Sequence, residues 1–153
     1  QALIADFRMR EADLRARFDR DDDTTFLFWF SSPSAGEDAY LGGKNGASGF
    51  IADLLGGRNA ITTEAEWPTV GWEGIIAADP TYIVAASLDR DRWDLDRADN
   101  KIAFLESDPS VSQMPAVQQG HILTMNGAAM NPTIRTIYGA EELARQLDAL
   151  QGK

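Results

Sequence analysis

The sequence predicts an α/β fold: a three-layer sandwich with a mainly parallel sheet and one helix leading into it. Apolar runs at residues 24–31, 82–86 and 122–125 are typical of strands and alternate with helical patterns, which is the order found in parallel sheets. The runs are nearly continuous, as in strands buried on both faces. With 153 residues, 44% of them apolar, the chain has the size of one domain with its own core.

The chain begins with a predicted helix over residues 1–19. Its apolar side chains share one helical face: Leu3, Phe7, Leu14 and Phe18, with Ile4 beside them. The acidic run at residues 19–23 ends this helix and precedes the first strand.

A glycine-rich turn connects the first strand to the next helix. Residues 32–36 form a predicted loop, and the turn at residues 42–49 leads into a short helix at residues 50–55. The Gly56-Gly57 pair is a C-cap signal for that helix. A short strand is expected at residues 59–61.

The second half of the chain continues the alternation of helices and strands. A helix at residues 71–78 ends before Asp79-Pro80, because proline disfavours helical geometry in the residue that precedes it. The acidic stretch at residues 89–99 is expected to be an exposed loop. The remaining helices are expected at residues 97–105 and 133–150, the last with a stripe of Leu143, Leu147 and Leu150.

Composition excludes several functional classes. The 24 acidic and 14 basic side chains give a net charge of −10, which repels phosphate, so we expect no nucleic-acid binding. There is no cysteine, and one histidine, His121, is too few for a histidine metal site and leaves a single candidate for a catalytic triad. No apolar run approaches the ~18–20 residues that span a bilayer. From the absence of cysteine and the single histidine, we expect no enzyme activity, no cofactor and no metal.

The glycine-rich turn leaves two interpretations open. Its residues 42–49 match neither the P-loop order nor the Gly-x-Gly-x-x-Gly pattern of dinucleotide binding. Backbone N–H groups at a helix N-terminus bind anions without such a motif. The alternative is that the glycines serve only tight packing.

A series of motifs along nearly the whole chain resembles a known family. In order, they occupy residues 39–43, 49–60, 67–80, 105–109 and 114–120, followed by the terminal helix. Together they resemble the C-terminal lobe of the periplasmic binding proteins that serve ABC importers for iron-siderophores, haem and vitamin B12. Each motif is unspecific alone, and their common order carries the resemblance.

The resemblance implies an architecture and a location. In that family two Rossmann-like α/β lobes are joined by a long helix, and the ligand lies in the cleft between them. Residues 1–20 then correspond to the end of the linking helix and residues 21–153 to the C-terminal lobe, with the N-terminal lobe absent from this chain. The implied location is periplasmic or otherwise extracytoplasmic, with the signal peptide not in this chain, and the lack of cysteine agrees with it.

The resemblance also implies a transport function. We expect a monomer that binds an iron-siderophore or related metal chelate and delivers it to an ABC transporter permease. Haem and cobalamin are alternative ligands for the same function. Two further classes stay open: a small α/β nucleotide-binding or enzyme domain, and a lobe that only docks proteins.

Candidate ligand residues follow from the position of the predicted loops. Ligands of open α/β sheets bind outside the carboxyl ends of the strands. The polar candidates in those loops are Ser32, Tyr40, Lys44, Asn45, Arg90, Asn131 and Arg135. Three interpretations of Tyr40 stay open: it stacks on a flat ligand, it contacts a ferric centre as a phenolate, as the resemblance to haem binders implies, or it packs on its own loop. Arg135 either pairs with a ligand carboxylate or catecholate, for which its planar fork is suited, or forms an internal salt bridge.

The remaining candidates are a docking glutamate and the tryptophans. Glu73 stands in a Val-x-x-Glu segment that, by the resemblance, meets arginines of the permease; the alternative is an ordinary glutamate in a first helical turn. Trp29 is expected in the core, and Trp67 and Trp72 in the core or at the lobe interface. Trp93 follows the second strand, where it would border the cleft.

Overall fold

The computed structural model describes residues 2–90, 92–131 and 135–151, and within them six α-helices and six strands. The helices are α1 (Ala2–Arg17), α2 (Ala47–Leu54), α3 (Trp72–Ala78), α4 (Ala98–Ser107), α5 (Pro115–Gln118) and α6 (Arg135–Leu150). The strands are β1 (Thr25–Ser31), β2 (Ala39–Gly42), β3 (Arg58–Asn59), β4 (Thr69–Val70), β5 (Tyr82–Ser87) and β6 (Ile122–Asn126). Short 3-10 helices occupy Asp94–Asp96, Val111–Gln113 and Gly127–Met130.

The strands form one mixed sheet in the order β4-β2-β1-β5-β6, with β3 also paired to β1. The pairs β1–β3, β1–β5 and β5–β6 are parallel, as predicted. The pairs β1–β2 and β2–β4 are antiparallel and were not predicted. The sheet thus has a parallel centre and an antiparallel margin.

Strand β1 separates two hydrophobic cores. Its side chains alternate between the two faces of the sheet: Phe26 and Phe28 point into one core, and Leu27 and Trp29 into the other. All four are fully buried. The predicted three-layer sandwich is therefore confirmed.

The first core lies under α1, α2 and α6. Leu143 and Leu147 of α6 are buried in it as predicted, whereas Leu150 is 46% exposed. Leu14 of α1 is also buried, but Ile4, expected on the same face, is 51% exposed. Helix α1 therefore contacts the core through a narrower stripe than its sequence predicts.

The second core lies under α3, α4 and α5, and aromatic rings dominate it. Trp29 meets Trp72 of α3 at 4.8 Å between ring centroids and Phe104 of α4 at 5.8 Å. Both tryptophans are buried, as expected of Trp29 and of Trp72. Helix α5 adds Ala116 to this core and was not predicted.

The predicted element boundaries hold to within a few residues. Helix α3 ends at Ala78, and Asp79 adopts a left-handed φ of 48° before Pro80. Helix α2 begins at Ala47, three residues earlier than predicted, because the glycine-rich turn enters it directly. The predicted start of the last helix, Thr133, lies outside the described residues. No helix in the described ranges is long and apolar enough to cross a membrane.

Candidate functional site

Several loops meet at the carboxyl edge of the sheet, and they carry most of the candidate residues. Strands β1, β5 and β6 run parallel and end at this edge. Strand β2 runs the opposite way and starts there, so Tyr40 lies beside Ser31. Open α/β sheets bind ligands at this edge.

Four aromatic side chains form what we call the aromatic rim: Phe30, Tyr40, Trp67 and Trp93. Phe30 and Trp67 lie 5.1 Å apart between ring centroids, and Tyr40 and Trp93 lie 5.6 Å apart. Trp67 is 40% exposed and the other three are half-buried. Trp67 is therefore a surface residue here, while Trp93 lies in the loop after β5, as expected. The apolar run that predicted β1 gave no indication that Phe30, near its end, borders the edge.

Arg90 joins the two halves of the aromatic rim. Its guanidinium carbon lies 4.8 Å from the centroid of Trp93 and 5.6 Å from that of Phe30. Such cation–π contacts hold a cation against flat rings. The Arg90 side chain remains 36% exposed, so this candidate residue reaches the surface of the edge.

Asp96 anchors Arg90 from below. It is fully buried and accepts five hydrogen bonds from its neighbours. Two come from Arg90 Nε and Nη2, at 3.0 and 3.1 Å, and one from the Ser31 hydroxyl, at 2.6 Å. The other two come from the backbone N–H groups of Arg92 and Trp93. The expectation that residues 89–99 form an exposed loop is therefore wrong at Asp96, because this loop folds around its carboxylate.

The surroundings of Asp96 keep it ionised. Burial by itself would raise the pKa of this carboxyl group, but the hydrogen bonds from Arg90, Ser31 and the backbone outweigh burial and lower the pKa far below its ordinary value. Asp96 is therefore a carboxylate at neutral pH. The loop after β5 folds around the ion pair of this carboxylate with Arg90.

Lys101 of α4 is the second buried charge under the edge. Its ammonium donates to the carbonyl of Ala86 at 2.8 Å and to the carbonyl of Leu95. Burial lowers its pKa to about 8, against a raising effect of Asp96. The sequence contained one signal for its position, since Lys101 shares the helical face of the buried Phe104 and Leu105.

Ser32 also lies below the edge. It is fully buried, and its hydroxyl oxygen accepts a hydrogen bond from Trp29 Nε1 at 3.1 Å. In this structure Ser32 satisfies a core tryptophan, and its neighbour Ser31 satisfies Asp96.

Lys44 and Asn45 lie in the turn before α2 and share one partner. The ammonium of Lys44 lies 3.0 Å from a carboxylate oxygen of Glu64, and the Asn45 amide donates to the carbonyl and carboxylate of that residue. These hydrogen bonds lower the pKa of Glu64, that from Asn45 most. Asn45 also borders a groove of about 500 Å³, lined by Phe7, Asn45, Gly46, Ala47, Phe50, Glu66 and Thr136.

The glycines of this turn are required by close packing. A Cβ on Gly42 would lie 1.9 Å from the Ser48 hydroxyl, and a Cβ on Gly49 would lie 1.9 Å from the Lys44 carbonyl oxygen. At Gly49 such a contact requires backbone movement, and at Gly42 it requires the packed side chains of Ser48 and Met130 to shift. The packing interpretation of the glycine-rich turn therefore has direct structural support at both positions.

Asn131 and Arg135 lie on the far side of the edge, after β6. Both are exposed, and the Asn131 carbonyl accepts a hydrogen bond from Thr136 at 3.0 Å. Arg135 borders a smaller depression of about 290 Å³, together with Asn126, Ala128, Ala129, Tyr138, Gly139 and Glu142. None of the four residues of the aromatic rim lines this depression.

Glu73 is exposed in the first turn of α3. Because α3 directly follows β4, this turn lies at the same edge as the rim, where the Trp72 indole donates to the carbonyl of Glu37 at 3.1 Å. The described residues contain no group of three metal-ligating side chains that could hold a metal ion.

Comparison with known proteins assigns most of the chain to one family model. The model described as "Periplasmic binding protein" matches residues 1–129. No curated protein matches the chain.

Solved structures with the same fold include proteins for three kinds of ligand. They are an ABC-type Fe3+-hydroxamate transport system protein from Saccharomonospora viridis (20% identity, 99% of this chain and 49% of that one, TM-score 0.74), a periplasmic heme binding protein of Vibrio cholerae (20%, 92% and 52%, 0.70) and a periplasmic vitamin B12 binding protein of the same organism (21%, 97% and 53%, 0.67). The chain therefore spans about half the length of these solved relatives.

Proposed function

Because the chain belongs to the periplasmic binding protein family, we propose that it is the C-terminal lobe of a monomeric, two-lobed binding protein located outside the cytoplasm. Residues 1–20 form the end of the linking helix and residues 21–153 form the lobe. The protein binds an iron-siderophore and delivers it to the permease of an ABC importer. The half-length match to solved relatives supports the two-lobed form.

The aromatic rim with Arg90 is the observation that carries this proposal. It places half-buried and exposed rings around one cation at the carboxyl edge of the sheet. Rings of this kind bury the flat faces of a chelate, and a few polar groups fix its orientation. A surface with these properties serves binding without requiring a catalytic group.

The polar candidates differ in how directly they would contact the ligand. Tyr40 and Arg90 contact it directly, whereas Ser32 is buried beneath the edge and supports it. Lys44 and Asn45 reach the ligand by exchanging their exposed contact with Glu64, which solvent already weakens. Asn131 and Arg135 contribute from the β6 side of the edge.

Glu73 is the proposed contact with the permease. It is exposed at the same edge as the ligand face, so one side of the lobe serves both binding and docking. An exposed carboxylate in a first helical turn is stabilised by the helix dipole and stays accessible to arginines of a partner. Such a contact adds steering more than affinity.

Haem and cobalamin are the alternative ligands for the same function, since both also present large flat surfaces to the rim. A nucleotide-binding or enzyme domain is the less favoured class. The glycines that would cradle a phosphate are packed against the Ser48 side chain and the Lys44 backbone, and the sequence contains no intact catalytic motif.

Tryptophan fluorescence tests the ligand assignment. The complete two-lobed protein is titrated with a ferric hydroxamate, a ferric catecholate, haem and cobalamin. We expect saturable quenching by one of them, reduced in Trp93→Phe because Trp93 lies in the rim. Trp72→Phe is the matched control, since Trp72 is buried in the second core. Flat traces with all four ligands would contradict the proposal.

Uptake measurements test the docking role of Glu73. We expect Glu73→Ala to leave ligand affinity unchanged and to slow uptake in cells that carry the importer. Glu106→Ala, which changes an exposed glutamate of α4, is the matched control. Equal uptake rates for both variants and the unmodified protein would remove Glu73 from the docking surface.

A further inference from the structure

We infer that this lobe selects an anionic ligand, because Arg90 presents an unused hydrogen-bonding edge to the cleft and Asp96 holds it there. The inference rests on the proposed function and narrows its substrate class: a chelate that carries carboxylate or catecholate oxygens beside a flat aromatic surface. Neutral chelates are the disfavoured class.

The donors of Arg90 are divided between the protein and the solvent. A guanidinium has five N–H donors in a fixed plane. Asp96 takes two of them, one from Nε and one from Nη2. The other three have no partner among the described residues, on a side chain that is 36% exposed. This outer edge of Arg90 is arranged to bind a pair of oxygens bidentately.

The three charged groups that lie together beneath the edge do not cancel, although the loop around them is acidic. The net charge of the chain is −10, yet the buried cluster under the edge contains two cations, Arg90 and Lys101, around one carboxylate, Asp96. Both Asp96 and Lys101 are fully buried. These three groups alone sum to one positive charge, while the carboxylates of Asp89, Asp94 and Asp99 nearby in the sequence are exposed to water, which screens them more strongly.

The site discriminates between anionic and neutral ligands because a bound ligand buries the edge. When a ligand covers the rim, the outer donors of Arg90 lose their water. The charged oxygens of an anionic group replace those hydrogen bonds with charge-assisted ones, whereas the oxygens of a neutral analogue replace them with weaker ones. A site built around a buried polar group rejects the analogue that lacks its partner more strongly than an apolar pocket rejects a change in size.

Asp96 acts through Arg90 and is a positioning residue. It fixes the inner edge of the guanidinium with two hydrogen bonds, while the rings of Trp93 and Phe30 lie 4.8 and 5.6 Å from the guanidinium carbon. The carboxylate is in turn held by Ser31 and two backbone N–H groups. The plane of the guanidinium is therefore set before the ligand arrives, which reduces the entropy lost on binding.

Matched ligand pairs test the inference on the complete two-lobed protein. Haem is compared with haem dimethyl ester, which has the same ring without the two carboxylates, and a ferric tris-catecholate is compared with a neutral ferric trihydroxamate. The measured quantity is the ratio of the two dissociation constants in each pair. The variants are Arg90→Gln, Arg90→Lys and Asp96→Asn, with Arg20→Gln as control, because Arg20 pairs with Asp22 and Asp53 away from the edge.

We expect the unmodified protein to prefer the anionic member of at least one pair by about 10- to 100-fold, the range for hydrogen bonds to charged groups. Arg90→Gln should bring this ratio close to one, and Arg90→Lys, which keeps the charge but not the fork, should give an intermediate ratio. Asp96→Asn should lower the ratio while the affinity for the neutral member changes little. A merely structural defect in that variant would weaken both members alike and would overturn the positioning role.

The outcomes distinguish a failure of the anion selectivity from a failure of the proposed transport function. A ratio near one in the unmodified protein, or preference for the neutral members with Arg90→Gln unaffected, would overturn the anion selectivity and leave the transport function in place. Absence of binding to every probe would overturn the proposed function itself. A ratio unchanged by Arg90→Gln but lowered by Arg20→Gln would place the selective cation elsewhere.

Discussion

Two regions of this chain use the same chemistry, arginine paired with carboxylate, in opposite environments. The first, the edge cluster, consists of Ser31, Arg90, Asp96 and Lys101 beneath the rim. The second, the helix seam, joins α1 and the residues after it to α2 and α6 through four ion pairs: Arg10–Glu141, Arg15–Asp53, Arg17–Asp148 and Arg20–Asp53.

The two regions differ in how strongly their ion pairs are expected to stabilise the fold, and the ion-pair distances do not explain this difference. The seam pairs are short, 2.5 to 2.7 Å, and the Arg90–Asp96 contact is 3.0 Å. The seam side chains are 25–51% exposed, whereas Asp96 is fully buried. Exposed pairs contribute about 0–1 kcal/mol each, while removing one partner of a buried pair costs about 3–5 kcal/mol. Solvent access, more than distance, decides which region holds its geometry.

The largest expected effect is that of Asp96→Ala. The variant leaves Arg90 without its anchor and three further donors without their acceptor, so we expect the free energy of unfolding to fall by about 3–5 kcal/mol. Chemical denaturation at pH 7 measures this loss. Asp99→Ala, which breaks an exposed pair with Arg97, is the control and should change nothing measurable. Equal losses in the two variants would contradict the conclusion that the buried edge cluster stabilises the fold more than an exposed ion pair does.

Acid titration offers an independent measure of the same carboxylate. The pKa of Asp96 is lowered in the folded state, so its stabilising effect is complete above the ordinary pKa of 3.8 and is lost as the pH falls below that value. Asp96→Asn cannot titrate, and we expect its stability to fall less steeply than that of the unmodified protein below about pH 4. Parallel curves would contradict the lowered pKa.

The next effect concerns the apolar contact of the helix seam. Leu14 is the one fully buried side chain among those described in α1. We expect Leu14→Ala to lower the free energy of unfolding by about 2–4 kcal/mol, the range for a leucine removed from a packed core. Ala12→Gly, on the exposed face of the same helix, separates helix propensity from packing, at about 1 kcal/mol. Similar losses in both variants would show that α1 is not packed through Leu14.

Lys101→Met tests the second charge of the edge cluster through its pH dependence. Burial lowers the Lys101 pKa from 10.5 to about 8. Between these values the unfolded chain binds more protons than the folded one, so the stability of the unmodified protein rises with pH across this window. The variant lacks this rise, and at pH 7 it loses about 1–3 kcal/mol because two backbone carbonyls lose their donor. Denaturation series at pH 7, 8, 9 and 10 give both quantities.

These regions also show which parts of the molecule the sequence predicts. The strands β1, β5 and β6 were predicted because each is a run of buried apolar residues. Strands β2 and β4 were missed because they are only four and two residues long. Segments this short, next to glycine and proline, carry no periodic signal. Of the edge cluster, Arg90 was predicted as a site residue, whereas Asp96 was missed because it stands in an acidic stretch that resembles a solvated loop, and only the fold reveals its five donors.

The candidate site was predicted in part for the same reason. The rule that ligands bind beyond the carboxyl ends of strands selected loops, and the structure places Tyr40, Arg90 and Trp93 in contact there. The same rule does not specify which side chain of a loop turns inward. Ser32 was therefore predicted as a ligand contact although it is buried beneath the edge. Inward orientation depends on which partners the folded chain offers: Ser32 accepts a hydrogen bond from Trp29, three residues earlier, and the sequence pattern does not indicate this contact.

The smallest effect is expected for Asp53→Asn in the helix seam. Asp53 accepts hydrogen bonds from Arg15 and Arg20, and the bond from Arg15 contributes most to lowering its pKa. Because its side chain is 45% exposed, we expect a loss of only about 0.5–1 kcal/mol at low ionic strength and almost none in 1 M NaCl, where the Debye length is about 3 Å. Asp13→Asn, 71% exposed and 4.0 Å from Arg17, is the control. A loss that persists in 1 M NaCl would mean that the seam is held as firmly as the edge cluster; a loss that disappears would mean that α1 is attached by Leu14 and merely oriented by charge.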